Sequence, residues 1–443
     1  MTYNPLPITS YRIPRYSLYA LLIFSPLARA SVQGWAVTTI HLVTLIALTA
    51  FFVEKSLTGN WKWIKTPLDK PILILIILSI LATVFSMHTY TSIWSTILLI
   101  NYITIYYLII HTVRTRTQIR QLIYIIISVG TFLSIFGLIK LGGANPFPWW
   151  EYTDIPQLPT RVSATFGNAN HLAGYVEMTL LLTFGLFLTG FSGGKRILMI
   201  CITIMLLAAL ILSLSRGGWF GAIIGFSFMA TALIANRHFE SKKLLIAIVG
   251  GILAVALVVL STTPVVERIQ TLSERDPEMN MYARLAGWRG VNKMIRDYPL
   301  VGTGPGTFET VYTQYQPPGF DLRRFYAHND YLHFISEFGL PLTIVMIWMI
   351  MVLYRNCFKK LRNPSRLVRG STLGAMAGIT AILVHSFGDF NLNIPANSIL
   401  FTVLAALAAC PLPIDNRSGF RIDGTMKKPA PSSFQQSTVF KMG

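Results

Sequence analysis

The polar segment from Met281 to Leu340 holds the side chains best suited to chemistry in an otherwise apolar chain. Its run AHNDYLHF contains His328, which is the candidate for proton transfer because a neutral imidazole can accept a hydroxyl proton near neutral pH. Asp330 could bind a substrate, orient that imidazole or shape the loop. Asn329 could bind a substrate, or it could simply cap the following helix together with His328.

Arginines precede this run at helical spacing. Arg284, Trp288, Val291 and Ile295 repeat with the period of one helix face, which predicts an amphipathic helix lying on the outer membrane surface. Arg284 and also Arg289 could clamp a diphosphate, because the planar guanidinium matches phosphate oxygens bidentately. The alternative is that these cations contact only lipid headgroups.

A second polar cluster occurs in RVSATFGNANHLAGY, just before a predicted membrane span. Arg161, Asn168, Asn170 and His171 lie at the membrane edge. An asparagine-rich helix start with an arginine could bind a sugar or a phosphate. The same residues could equally be plain helix caps.

Arg216 lies in SLSRGGW, a turn of a few residues between two spans. Lys and Arg are usually rare in the short outer loops of membrane proteins, so a cation in this outer turn is unusual. Gly217 and Gly218 allow another group to approach the backbone. A functional role is therefore predicted, with a snorkelling arginine as the alternative. The turn VGTGPGTF lacks the Lys-Ser/Thr ending of a phosphate loop and is predicted to be structural.

Three further candidates are ionisable residues that fall within predicted spans. Glu177 lies about two turns into one span, and His385 and Asp389 are four residues apart, which predicts that they share a helix face. Ionisable groups inside a membrane suggest a functional role, but a role in helix packing is an equally good explanation here. The three could also form an ion path, so solute transport remains a less favoured alternative. His333 is predicted to pack in the core.

Composition identifies the class of protein. The 443 residues are 53% hydrophobic and 12% charged, whereas soluble domains have about 25% charged residues. We predict an all-α polytopic membrane protein with one large outer loop that contains amphipathic helices. Segments of about 20 apolar residues indicate twelve spans: 16–32, 35–53, 70–88, 92–111, 119–141, 169–190, 196–214, 217–235, 243–262, 334–354, 371–389 and 394–412.

Charge sets the predicted orientation. Of the 37 Lys and Arg residues, 25 fall in alternate loops, and most of the rest lie in the one long loop. The positive-inside rule then places both termini in the cytoplasm and the long loop outside. The net charge of +19 is explained by this topology, so no nucleic-acid partner is expected.

The predicted organisation has four parts. Residues 1–262 carry the first nine spans, 263–333 form an outer catalytic loop, 334–412 carry the last three spans, and 413–443 form a disordered cytoplasmic tail. The outer loop has no Asp-X-Asp pair, and no His/Cys cluster has metal-ligand spacing. We therefore expect no metal and no cofactor.

Taken in order, three motifs resemble one superfamily. SRGGWFG follows a span, R-x-x-x-W-R leads into IRDYPLVGTGPGTF, and AHNDYLHFISEFG precedes a span. This combination is similar to the O-antigen ligase and polymerase superfamily, from about Arg161 to the last span. The resemblance implies that Arg216 and Arg284, with Arg161 and Arg289, contact a diphosphate and that His328 serves the acceptor.

The resemblance also implies a reaction. Such enzymes are C-type membrane glycosyltransferases of the bacterial inner membrane that work on its periplasmic face. They move a glycan from undecaprenyl diphosphate to an acceptor hydroxyl, without a metal and with inversion. The acceptor is lipid A-core in a ligase and a second lipid-linked glycan in a polymerase. The expected partners are therefore this donor, one of these acceptors and membrane lipids.

Overall fold

A computed structural model describes residues 11–147, 161–235, 250, 281–318 and 324–411. Across these ranges the regular elements are helices, and no β-strand is present, which confirms the predicted all-α class for this part of the chain. The α-helices, numbered in chain order, are α1 Arg12–Leu27, α2 Gly34–Thr58, α3 Asp69–Val84, α4 Thr89–Thr112, α5 Arg116–Leu141, α6 Ala169–Phe187, α7 Gly194–Leu212, α8 Arg216–Ala235, α9 Met281–Asp297, α10 Phe308–Val311, α11 Asp330–Lys360, α12 Arg366–His385 and α13 Pro395–Ala409.

Every predicted span that falls on described residues coincides with a helix. Seven helices, α2, α4, α5, α7, α8, α11 and α12, are long and apolar enough to cross a membrane by length and composition. Helices α1, α3 and α13 have 16, 16 and 15 residues, against about 20 for a full crossing. The predicted span 243–262 and the tail 413–443 lie outside the described residues. The number twelve therefore stays a prediction.

Helices α6 and α12 form the centre of the bundle, and both are buried over most of their length. They cross closely because glycines replace larger side chains at the contact. A Cβ atom on Gly185 would lie 2.5 Å from the Gly370 carbonyl oxygen, and one on Gly225 of α8 would lie 2.9 Å from the Ala377 carbonyl oxygen. Small residues allow such close approach between membrane helices.

Contacts between helix ends show that α6 and α7 run in opposite directions, whereas α11 and α13 run in the same direction. At one end of the bundle the Val162 amide donates to the Leu212 carbonyl oxygen at 3.0 Å, which joins the start of α6 to the end of α7. At the other end the Lys360 ammonium donates to the Ala408 carbonyl oxygen at 2.7 Å, which joins the ends of α11 and α13. Following the predicted orientation, we term these the outer and inner ends.

The predicted amphipathic helix is present as α9, but its apolar face packs on protein. Val291 and Met294 are fully buried in a cluster with Phe308 and Tyr312. The prediction that this face lies on the membrane surface is therefore wrong, because the folded loop itself covers the apolar side chains.

The Gly-Pro-Gly turn packs between the α3–α4 connection and α11. Gly302, Gly304 and Gly306 have φ angles of 68°, 108° and 74°, in the region that favours glycine. The Gly304 amide donates to the Glu337 carbonyl oxygen at 3.0 Å. A Cβ atom on Gly304 would lie 2.0 Å from the Ser86 Oγ atom. The prediction of a tight structural turn is confirmed.

Helix α11 is interrupted near its outer end. Gly339 has φ 76° and ψ 175°, and Pro341 follows two residues later. The Leu340 amide donates instead to the Pro299 carbonyl oxygen at 2.9 Å. The segment 330–338 is thus a separate short helix, which sets the start of α11 apart from its membrane-spanning part.

Candidate active site at the outer end

The candidate residues meet at the segment 386–390, which follows α12 and is termed the hub. The Asp389 carbonyl oxygen accepts the amide of Asp330, the first residue of α11, at 3.1 Å. The Gly388 carbonyl oxygen accepts Nη1 of Arg284 at 2.6 Å. The start of α11 and the loop helix α9 are therefore fixed to the same few residues.

His328 presents its imidazole to the hub. Its Nδ1 atom lies 3.7 Å from Oδ1 of Asp389, close enough for electrostatic attraction but too long for a hydrogen bond. The ring meets Phe390 edge-on, with centroids 4.9 Å apart. The His328 side chain is 32% exposed, whereas that of Asp389 is 3% exposed. One ring nitrogen therefore faces a buried carboxylate, while the side chain remains reachable from outside.

The Asp389 carboxylate lies close to two polar side chains of α6. The Asn170 side-chain amide donates to Oδ2 at 2.8 Å, and Nε2 of His171 lies 3.9 Å from Oδ1. Burial alone would raise the pKa of Asp389, but the surrounding histidines, above all His328, lower it well below the usual carboxyl range. The carboxylate is therefore ionised at neutral pH.

Arg161 links this carboxylate to the turn between α7 and α8. Its Nε donates to the Ser213 carbonyl oxygen at 2.7 Å, and Nη2 donates to Oδ1 of Asn170 at 2.5 Å. The predicted cluster of Arg161 and Asn170 is thus assembled, with both side chains bonded to protein. Asn168 accepts the Asn170 amide at 2.8 Å as the N-cap of α6, which favours the capping alternative for that residue.

Arg216 is the first residue of α8 and is exposed. The turn before it is the one that Arg161 contacts through Ser213. The Ser215 hydroxyl oxygen accepts the Gly218 amide at 3.3 Å and so caps the first turn of α8. Arg216 therefore lies at the outer end, on a turn that is bonded to the hub network.

Two side chains tie α9 to the site. Arg284 contacts the hub, and Trp288 donates through Nε1 to the Ala327 carbonyl oxygen at 2.8 Å, immediately before His328. The Nε atom of Arg284 is buried and has no hydrogen-bond partner among the described residues. Arg289 is exposed on α9, and no hydrogen bond joins it to the hub within the described ranges.

Asn329 and Asp330 hold the start of α11. The Asn329 side-chain oxygen accepts the Leu332 amide at 3.1 Å as the helix N-cap. The Asp330 carboxylate, 1% exposed, accepts the Leu392 amide at 2.9 Å and the Asn393 side-chain amide at 2.7 Å. Capping and loop shaping are therefore favoured over the predicted contact of these two residues with substrate.

Two sequence predictions concern the other ionisable residues, His385 with Asp389 and His333. Helix α12 ends at His385, so Asp389 lies beyond it in the hub. The prediction that these two share a helix face is therefore wrong, because the helical spacing does not continue past His385. His333 is buried and its ring lies 4.6 Å from that of Phe308, which confirms its predicted packing role.

Three non-glycine residues in the site segments have left-handed backbone conformations. Ala164, Leu214 and His328 have φ angles of 48°, 51° and 50°. Each costs on the order of 1–2 kcal/mol and persists only where the surroundings enforce it. Such strain often occurs at functional positions. Here it occurs on three of the four segments that carry candidate arginine or histidine residues, and the exception is α9.

Sequence reasoning missed the hub. Asp389 appeared only as an intramembrane acid, and Phe390 did not appear at all. The signal available was an acidic residue near the outer end of a span, which indicates function without naming its partner. Among the described residues, no group of three or more His, Cys, Asp or Glu side chains could hold a metal ion.

Comparison with known families places this geometry in context. Residues 201–347 match the family model described as O-antigen ligase. The matched segment runs from α7 into α11 and includes Arg216, Arg284 and His328, whereas Arg161 and the hub lie outside it. A search of curated proteins gives no match.

Proposed function

We propose that the protein is a membrane glycosyltransferase of the O-antigen ligase family, and the match of residues 201–347 to that family supports this. It moves a glycan from undecaprenyl diphosphate to the hydroxyl of an acceptor. The observation that carries the proposal is the meeting at the hub of His328, the buried Asp389 carboxylate and Arg284, from three distant parts of the chain.

The arginines act on the donor. A lipid diphosphate is an activated leaving group, and its departure places negative charge on the diphosphate oxygens. Preorganised cationic donors that stabilise this charge lower the barrier. Arg284 has a buried donor without a partner in the described structure, and Arg216 lies at the same end of the bundle. We assign both to the diphosphate, with Arg161 as a further predicted contact and no role for Arg289.

His328 acts on the acceptor. Its Nδ1 faces Asp389, so Nε2 is the atom that takes the proton from the attacking hydroxyl. The acceptor oxygen forms a bond to the anomeric carbon as the bond from that carbon to the diphosphate oxygen breaks. The product has inverted configuration, and the ionised Asp389 stabilises the imidazolium that forms.

The orientation and the acceptor are also part of the proposal. In the bacterial inner membrane, the outer end faces the periplasm and both termini lie in the cytoplasm, as the charge pattern predicts. We propose lipid A-core as the acceptor, which makes the protein a ligase. The second candidate is a polymerase, whose acceptor is another lipid-linked glycan. The matched segment contains the three motifs by which the chain resembles both ligases and polymerases, so the motifs do not separate the two.

The test is a transfer assay with purified full-length protein, a lipid-diphosphate-linked oligosaccharide and each acceptor in turn. EDTA is added to one arm, and His328→Ala and Arg284→Ala are run with His333→Ala as the matched histidine control. A ligase gives one product on lipid A-core that survives EDTA and is lost in the first two variants. Laddered products on the lipid-linked acceptor identify a polymerase. No transfer to either acceptor contradicts the proposed function.

A further inference from the structure

A chain of buried polar groups lies in the bundle beneath Arg216. Oε1 of Glu177 on α6 is 3.2 Å from Nδ1 of His385, the last residue of α12. Nε2 of His385 is 3.4 Å from the Ser215 Oγ atom. The three residues are 0%, 2% and 2% exposed. They are termed the clamp.

The clamp ends on the cap of α8. If the Glu177 carboxylate accepts the proton on Nδ1, then Nε2 of His385 accepts the Ser215 hydroxyl proton. The hydroxyl oxygen then remains free to accept the Gly218 amide, which lies 3.3 Å away. Each hydrogen bond in this series therefore has one donor and one acceptor, from Glu177 to the first turn of α8.

The facing surface of α8 is shaped for these side chains. A Cβ atom on Gly217 would lie 2.4 Å from Cδ2 of His385, and one on Gly221 would lie 2.9 Å from Oε2 of Glu177. Glycine at both positions lets the helix rest directly on the acid and the imidazole.

The clamp is a costly way to hold three helices together. A buried carboxylate loses its hydration, and a hydrogen bond from a neutral imidazole offsets that cost only in part. In addition, Oε2 of Glu177 is buried with no hydrogen-bond partner among the described residues. Ionisable groups in such places indicate a role beyond packing.

His385 lies between the turn that carries Arg216 and the hub. On one side it reaches Ser215, which immediately precedes Arg216. On the other side the chain runs from His385 directly into the hub, where the Gly388 carbonyl oxygen holds Arg284. One imidazole thus connects the supports of both arginines assigned to the donor.

We propose that Glu177 and His385 are positioning residues that act through Ser215 to hold Arg216 at a fixed distance from the hub. Arg216 and Arg284 can then engage one diphosphate together. The inference rests on the proposed function, and its effect is geometric: the clamp touches no substrate. A displacement of about 1 Å at a reacting group can cost about a hundredfold in rate.

The first test is a double-mutant cycle on kcat/KM for the lipid-diphosphate donor. Glu177→Gln keeps the shape of the side chain but removes its charge, and we expect a loss of about tenfold. In the Arg216→Ala background the same change should have no further effect, because the group that it positions is gone. Thr183→Val, which removes a buried hydroxyl from the same helix, is the control and should leave kcat/KM unchanged. Equal losses in both backgrounds would overturn the proposal.

A second measurement does not require glycan transfer. Arg216→Cys is introduced into a protein whose own Cys201, Cys357 and Cys410 are replaced by alanine, and its alkylation by a membrane-impermeant reagent is timed. Glu177→Gln should raise that rate several-fold, because the start of α8 is released. Thr183→Val should not change it. An unchanged rate with Glu177→Gln overturns the clamp even if the protein transfers glycan, whereas absent transfer with a raised rate overturns only the proposed function.

Discussion

The hub and the Gly-Pro-Gly turn are both polar and both lie at the outer end, but they are built differently. In the turn, Thr303 and Thr307 are fully buried and their hydroxyl oxygens are 2.7 Å apart, so the polar groups satisfy each other. At the hub, His328 is partly exposed and Arg284 keeps a donor without a partner in the described structure. Polar content alone does not identify a reactive loop. Incomplete internal bonding with access from outside is the better indicator.

The largest expected difference between the two regions comes from the two histidines of AHNDYLHF. His328→Ala should lower kcat by about a hundredfold to ten-thousandfold, because the general base is lost, while thermal unfolding stays unchanged. His333→Ala should leave kcat of the folded protein near wild type and lower its thermal stability, because a buried ring is removed. Equal effects of the two substitutions on kcat would contradict the assignment.

The next effect concerns the arginine that contacts the hub. Arg284→Ala should reduce kcat/KM by about a hundredfold, as expected for loss of one donor to a developing oxyanion. Arg284→Lys should recover only part of this, because an ammonium is a point charge without the planar fork. A lysine variant with full activity would show that charge alone matters at this position.

A smaller effect is expected at the carboxylate. Asp389→Asn should lower kcat by about tenfold, because the imidazolium of His328 loses its stabilising charge. Since the pKa of Asp389 is lowered from its ordinary value of 3.8, the carboxylate stays ionised until the pH falls below that value. The ratio of wild-type to variant activity should therefore be constant between about pH 5 and 8. A ratio that falls within this window would contradict an ionised Asp389.

The turn should respond in stability and not in rate. Gly304→Ala places a Cβ atom against Ser86 and forces a positive φ on alanine, which should destabilise the protein by about 1–3 kcal/mol. Gly143→Ala is the matched control, because that residue also has a positive φ, 87°, but nothing lies within 4 Å of its Cβ position. Chemical unfolding in detergent should show the larger loss for Gly304→Ala, with kcat of the folded fraction unchanged in both. A large loss of kcat in Gly304→Ala would make the turn part of the active site.

The smallest effect is expected for Arg289→Ala. The residue is exposed on α9 and no hydrogen bond joins it to the hub within the described residues, so kcat/KM should stay within about threefold of wild type. A loss as large as that of Arg284→Ala would extend the donor site across the exposed side of α9.

The helices could be predicted from sequence because apolar length is a local property. Stretches such as Arg116–Leu141 are apolar and end in loops of the expected charge, so hydropathy alone locates them. The surroundings of α9 could not be predicted in this way. Amphipathicity reveals an apolar face, but it does not distinguish lipid from Phe308 and Tyr312 as the surface that covers it.

The site was predictable in part. His328 and Arg284 stand out because charged or titratable residues are rare in this chain. Asp389 was a candidate only as an intramembrane acid, and its contacts could not be predicted, since the one with Asn170 joins residues 219 positions apart. Such a pairing depends on how α6 and α12 pack, which periodicity within one helix does not encode. Asn329 and Asp330 show the reverse, because residue types suited to binding are used for capping and loop support.

The position of the hub also bears on how the protein is made. Gly388 and Asp389 lie between α12 and α13, the last two described helices, whereas Arg216, Arg284 and His328 come earlier in the chain. During synthesis from the N-terminus, Arg284 and His328 emerge before the Gly388 carbonyl and the Asp389 carboxylate that they face. A partly inserted chain therefore lacks the hub contacts, so under the proposed function it should not activate a lipid diphosphate until α12 and α13 have been inserted.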